Sequence, residues 1–139
     1  MDAPYQPDIL RVLCVDDNKD AADMLGALLE IAGFNPRVCY SGAQALAVLD
    51  EFNPDACILD IQMPGMDGVE LAKRIRAWAG PRALPLVAVT GLDDDEMRTR
   101  SLEVGFDLHL TKPADPDLLA SLLADIVLLR GDWSDPGER

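Results

Sequence analysis

The chain alternates between short apolar runs and helical segments, and this repeat constrains its fold more than any other feature. The runs lie at 11–15, 35–39, 56–59, 86–90 and 107–110. Short runs rich in β-branched residues are typical of strands buried in a parallel sheet. Strands that alternate with helices form one sheet with right-handed crossovers. The sequence therefore predicts an α/β fold, a single doubly wound five-stranded parallel sheet of order 2-1-3-4-5 with five helices.

The segments between the runs have the apolar spacing and the end signals of helices. They are predicted at 19–32, from the cap Ser41 onward, at 69–79, from the acidic stretch 93–96 to Gly105, and from Asp115-Pro116 to about 129. A chain of 139 residues has the length of one domain. We predict an N-terminal extension at 1–8, the domain at 9–130 and a polar C-terminal tail at 131–139.

The charge of the chain limits its partners. With 25 acidic and 12 basic residues, the formal net charge is −13. Such a chain repels phosphate backbones and anionic lipids, so we expect no nucleic-acid and no membrane binding. Partners are expected to be proteins.

The three cysteines fit a cytoplasmic protein. Cys14, Cys39 and Cys57 all lie in predicted strands, and an odd number at these spacings is neither a disulfide framework nor a zinc site. We expect buried core residues. No apolar run is long enough to span a bilayer, and the N-terminus lacks the pattern of a signal peptide.

Polar residues stand at the carboxyl ends of four predicted strands. They are Asp16, Asp17, Asp60, Thr90 and Lys112. In a doubly wound sheet, ligands bind beyond these strand ends, at the switch point between strands one and three. The sequence therefore predicts one acidic pocket that carries a hydroxyl and a cation.

This set of groups suits a divalent metal and a phosphoryl group. Mg²⁺ prefers oxygen ligands, and Asp17 and Asp60 can supply two carboxylates. A carboxylate can also attack a phosphoryl group, while Lys112 offsets charge and Thr90 donates a hydrogen bond. Each residue alone has a plainer interpretation. Acidic residues before a helix are caps, Thr90 is an ordinary strand end and Lys112 is a surface lysine.

Taken together, the motifs of the chain resemble those of the receiver domain of bacterial two-component response regulators. The matching segments are 15–18, 59–68, 89–91, 105–107 and 112–113, and the resemblance covers residues 10–129. It implies a flavodoxin/CheY-like fold in which Asp60 accepts a phosphoryl group from a phosphohistidine. It also implies Mg²⁺ ligation by Asp17, Asp60 and the Gln62 backbone carbonyl, with Asp16 acting through water.

The same resemblance assigns the remaining site residues. It makes Thr90 and Lys112 the pair that contacts the phosphoryl group, and it suggests a cis peptide bond at Lys112-Pro113. Receivers of this family often carry Tyr or Phe three residues before the lysine, where this chain has His109, its single histidine. His109 is either a half-buried strand residue or a switch, coupled to Thr90, that has a titratable ring.

The leading functional interpretation is a phosphorylation-activated signalling switch without substrate turnover of its own. A sensor histidine kinase or phosphotransfer protein would phosphorylate it. A protein target would bind the face of helix four, strand five and helix five, and the chain would be a monomer or a phosphorylation-dependent dimer. Output would act in trans or belong to a larger parent protein. Two alternatives are a pseudo-receiver that binds without phosphorylation and a haloacid-dehalogenase-type phosphatase. Gln62 stands where the latter needs a second aspartate.

Overall fold

A parallel five-stranded sheet forms the centre of the molecule. The computed structural model describes residues 9–91, 95–112, 114–115 and 117–125. The strands are β1 (Arg11–Val15), β2 (Asn35–Cys39), β3 (Ala56–Asp60), β4 (Leu86–Thr90) and β5 (Leu108–Thr111). They pair in the order β2-β1-β3-β4-β5, and every pair is parallel. The predicted doubly wound order is confirmed.

Five helices connect and cover the strands. They are α1 (Lys19–Ile31), α2 (Gly42–Phe52), α3 (Gly68–Ala79), α4 (Asp95–Val104) and α5 (117–125). The first three begin at side chains that accept a hydrogen bond from a backbone N–H of the first turn, namely Asn18, Ser41 and Asp67. Gly105 has a positive φ of 84°, which suits the residue after a helix end.

The core has one apolar layer on each face of the sheet. Leu13, Leu59 and Leu86 pack with α2 and α3 on one face, while Val12, Ile58 and Val87 pack with α1 and α5 on the other. Adjacent residues of one strand therefore serve opposite layers, as the two-residue period of a strand requires. Cys14, Cys39 and Cys57 are free and buried, as predicted.

The ends of several elements differ from prediction by a residue. β3 extends to Asp60 because Asp60 pairs with Val89 of β4. β5 begins at Leu108 rather than at Asp107, whose carboxylate accepts a hydrogen bond from the Leu86 N–H. The predicted extension 1–8, the tail 131–139 and the Lys112-Pro113 peptide lie outside the described residues.

An arginine clamp joins α3 to the segments around β4 and β5. The Arg76 guanidinium donates to the carbonyl oxygens of Leu84, at 2.5 Å, and of Gly105, at 2.6 Å. It also lies 3.5 Å from the Asp107 carboxylate. Because the Leu84 carbonyl and the Asp107 carboxylate are largely buried, removing the guanidinium leaves these acceptors without that partner.

We expect Arg76→Met to lower the free energy of unfolding by about 2–3 kcal/mol in urea titrations. Arg74→Met is the matched control, because Arg74 pairs with Glu70 on the exposed surface of the same helix. That variant should lose about 0.5 kcal/mol or less. Equal losses in the two variants would contradict the clamp.

Candidate functional site

The carboxyl edge of the sheet brings the predicted polar residues together. Asp60 ends β3 and Thr90 ends β4, the neighbouring strand. Asp16 follows β1, on the other side of β3, and Lys112 follows β5. Asp60 is only 4% exposed and Thr90 is fully buried. The parallel alignment of four strands therefore brings residues that are far apart in the sequence into one site.

Three carboxylates form a group at this edge. Asp16, Asp17 and Asp60 each present an oxygen such that these atoms lie within 4.8 Å of one another. Asp60 is buried, Asp16 is partly exposed and Asp17 is exposed. Carboxylate oxygens held this close repel one another, and a hard divalent cation such as Mg²⁺ relieves that repulsion. The donor set fits Mg²⁺, which would be held by these residues and would supply positive charge.

Lys112 reaches across the sheet to the same carboxylates. Its Nζ lies 3.0 Å from Asp16 Oδ2 and 3.4 Å from Asp60 Oδ1. Its backbone N–H donates to the Thr90 carbonyl oxygen at 2.8 Å, which fixes the backbone of Lys112 relative to β4. Lys112 is therefore an ion-paired lysine at the site rather than a solvated surface residue.

The environment shifts the protonation of Asp60. Burial and the neighbouring Asp16 carboxylate raise the pKa of the Asp60 carboxyl to about 7, although Lys112 and the Gln62 N–H oppose the shift. The pKa of Lys112 is also raised. Burial disfavours its charge, but the hydrogen bond to Asp16 and the charge of Asp60 outweigh that effect. The lysine therefore remains cationic beside a carboxylate that is costly to ionise without a further positive charge.

In the loop after β1, the residue that caps α1 is different from the residues of the acidic site. Asn18, not Asp16 or Asp17, caps α1, because its side chain accepts from the Ala21 N–H at 3.0 Å. The Asp16 Oδ1 accepts from the Asn18 N–H, while its Oδ2 accepts from Lys112. The carboxylate is thus oriented from both sides, and Asp17 is left facing solvent.

Gly68 sets how closely α3 approaches the acidic residue. The Gly68 N–H donates to the Ile61 carbonyl oxygen at 2.8 Å. A Cβ at this position would lie 2.4 Å from the Asp60 carbonyl oxygen and 2.7 Å from the Ile61 Cα. Only glycine fits there. The turn Asp67-Gly68 therefore rests directly on the backbone that carries Asp60.

The proposed switch residues lie on one face of the sheet. Ala88 pairs with His109, and Thr90 pairs with Thr111. Because side chains alternate along a strand, Thr90 and His109 both lie on the Ala88 side, which packs against Val104 and Phe106. His109 is half-buried. The coupling of His109 to Thr90 and the ligand role of the Gln62 carbonyl remain predictions.

Sequence reasoning missed an apolar cavity beside the acidic group. It has a volume of about 260 Å³ and lies between α1 and α5. Met24, Leu25 and Leu119 line its apolar part, while Asp60 and Lys112 stand at its polar end. No local sequence pattern predicts it, because its walls come from helices that are distant in the chain.

Among the described helices, none combines the length and apolarity needed to cross a bilayer.

Comparison with known proteins gives a consistent result. A family model described as the response regulator receiver domain matches residues 12–124. An uncharacterized 14.6 kDa protein of Leptolyngbya boryana is 37% identical over 86% of this chain and 91% of its own length. The DNA-binding response regulator MtrA of Mycolicibacterium smegmatis is 36% identical over 92% of this chain, which spans 54% of that protein's length.

A solved structure supports the architecture. The CheY-like response regulator receiver domain protein of Methanospirillum hungatei superimposes with a TM-score of 0.84, covering 91% of this chain and 99% of that one. At 24% sequence identity, this likeness concerns the fold alone.

Proposed function

Because this chain belongs to the response regulator receiver domain family, we propose that it is a phosphorylation-activated signalling switch with Asp60 as the phosphoacceptor. One observation carries the proposal. A nearly buried carboxylate at the end of β3 lies 3.4 Å from the Lys112 ammonium and within one cluster of three acids. This arrangement can bind a divalent cation and accept a phosphoryl group in the same place.

The reaction requires little from the protein beyond position and charge. An Asp60 oxygen attacks phosphorus, a new O–P bond forms, and the P–N bond of a phosphohistidine breaks, which returns the electron pair to the imidazole. Mg²⁺ held by Asp17, Asp60 and the Gln62 carbonyl, with Asp16 acting through water, would supply positive charge for the transferring group. Lys112 keeps its ammonium beside Asp60, and the Thr90 hydroxyl, at the end of the neighbouring strand, donates to a phosphoryl oxygen.

The partners follow from the same chemistry. We infer that a sensor histidine kinase or a phosphotransfer protein is the donor, and that the protein target binds the face of α4, β5 and α5 after Thr90 and His109 rearrange. The DNA-binding role printed for MtrA belongs to that longer protein. A chain with a net charge of −13 is not expected to contact DNA itself.

We propose a cytoplasmic location, which the free cysteines support. We also propose that the protein turns over no separate substrate.

The test is incubation with acetyl phosphate and Mg²⁺, followed by intact-protein mass spectrometry under mild acid. We expect one labile phosphoryl adduct, which is lost in Asp60→Asn and strongly reduced in Lys112→Ala. Asp125→Asn, at an exposed position of α5, is the control and should label normally.

Two results would go against the proposal. Adduct formation that survives in Asp60→Asn would move the acceptor elsewhere. No adduct with acetyl phosphate or phosphoramidate would favour an interaction module that works without phosphorylation.

A further inference from the structure

One carboxylate ties helix α4 to the loop that follows the acidic site. Arg100, on α4, donates from Nη2 to Asp67 Oδ2 at 3.0 Å. The other oxygen of Asp67 accepts from the Glu70 N–H at 2.9 Å and so caps α3. Both oxygens of one side chain are therefore occupied, one by each helix. The pKa of Asp67 is lowered, since the Glu70 N–H and Arg100 outweigh the effect of its burial.

This ion pair lies one residue from the closest backbone contact of the site. Gly68, next to Asp67, packs against the Asp60 carbonyl oxygen and bonds to Ile61. A displacement of the backbone at Asp60 would therefore also move Asp67, and through the ion pair with Arg100 it would move α4.

Ser101, the residue beside Arg100, buries a polar side chain in α4. Ser101 is 2% exposed, and within the described part of the chain its hydroxyl oxygen finds no hydrogen-bond partner. Val104, one turn further along the same face, packs against the cluster of Ile61, Val69 and Ala88. A hydroxyl buried in an apolar helix interface without a partner disfavours the packed arrangement.

We propose that these two neighbouring residues set the position of α4 relative to the acidic site, Arg100 favouring the packed position and Ser101 opposing it. The link to signalling rests on the proposed function. A phosphoryl group on Asp60 adds volume and negative charge beside the Gly68 turn, and it favours the displaced position of α4. The two residues thus act as positioning residues that tune the balance between two states.

The position of α4 can be measured without phosphorylation, by hydrogen exchange of the α4 amides at 95–104 in metal-free protein. Arg100→Met should raise their exchange rates about threefold. Ser101→Ala should lower them about fivefold, because the unpartnered hydroxyl is gone.

Two controls separate this effect from general changes in the helix. Thr99→Ala, at an exposed position of α4, adds helix propensity without removing a buried hydroxyl and should slow exchange less than Ser101→Ala does. A double-mutant cycle of Arg100→Met with Asp67→Asn, which keeps a good cap, should show non-additive exchange rates. Rates that are additive, or that move in the same direction for Arg100 and Ser101 variants, would overturn the inference.

The coupling to the site is measured with beryllofluoride and Mg²⁺ as a phosphoryl analogue, by calorimetry. Arg100→Met should bind it about threefold more tightly and Ser101→Ala about fivefold more weakly. Equal affinities among the variants would disprove the coupling. If the unsubstituted protein itself binds no beryllofluoride, the proposed function is wrong. The exchange rates still decide the role of Arg100 and Ser101.

Discussion

Gly68→Ala should destabilise the protein more than any other change of a single methyl group in the site. The added Cβ would lie 2.4 Å from the Asp60 carbonyl oxygen and 2.7 Å from the Ile61 Cα, and both are backbone atoms. Neither can rotate away, so α3 or the end of β3 must shift. We expect a loss of about 3–5 kcal/mol in the free energy of unfolding, despite the higher helix propensity of alanine. Urea denaturation of the purified variants measures it.

Gly42→Ala is the matched control, since Gly42 is likewise the first residue of a helix. There the new Cβ would meet Met66, with the nearest atom, the sulfur, at 2.7 Å. A methionine side chain is flexible and can move aside, so we expect a loss of about 1 kcal/mol or less. Comparable losses in the two variants would show that α3 does not depend on close contact with Asp60. Gly68→Ala should also impair phosphoryl uptake, because it displaces the backbone of the acceptor.

Asp60→Asn should stabilise the metal-free protein even though it removes the proposed phosphoacceptor. Burial and the Asp16 carboxylate raise the pKa of Asp60 from 3.8 to about 7 in the folded state. The folded state therefore binds more protons than the unfolded state across this window, so stability falls as pH rises through it. At about pH 7.5 we expect Asp60→Asn to gain about 1–3 kcal/mol in the free energy of unfolding.

The gain in stability from Asp60→Asn should depend on pH and on Mg²⁺. Below about pH 3 the carboxyl is protonated in both states, so the advantage of Asp60→Asn should disappear. Added Mg²⁺ should stabilise the parent more than the variant, because it relieves the repulsion among the acids. Asp55→Asn is the control of opposite sign. Asp55 accepts from the Arg11 N–H at 2.8 Å and pairs with its guanidinium, so that variant should lose stability. A parent that is more stable than Asp60→Asn at every pH would refute a strained acidic site.

The contacts of Gly68 and Arg100 could not be predicted from the sequence. The density of turn residues at 61–68 indicates a loop, and an acidic residue directly before a helix is a typical cap, which Asp67 is. The sequence does not show that Gly68 touches the backbone of Asp60, because that contact depends on the angle at which α3 leaves the sheet. Arg100 is a similar case. Its partner Asp67 is 33 residues away, and no spacing rule for helices or strands connects the two.

The amino-acid sequence by itself determined the alternation of strands and helices, their order in the sheet and the edge at which Asp16, Asp17, Asp60, Thr90 and Lys112 meet. These follow from hydrophobic period, helix caps and the rule that parallel strands end at one edge, all of which are local or topological. Only the tertiary structure decided the Lys112 ion pairs, the cavity beside α1, the close approach of Gly68, the Arg100–Asp67 ion pair and the burial of Ser101. Each depends on distances between elements far apart in the chain, which side-chain packing sets and no local pattern encodes.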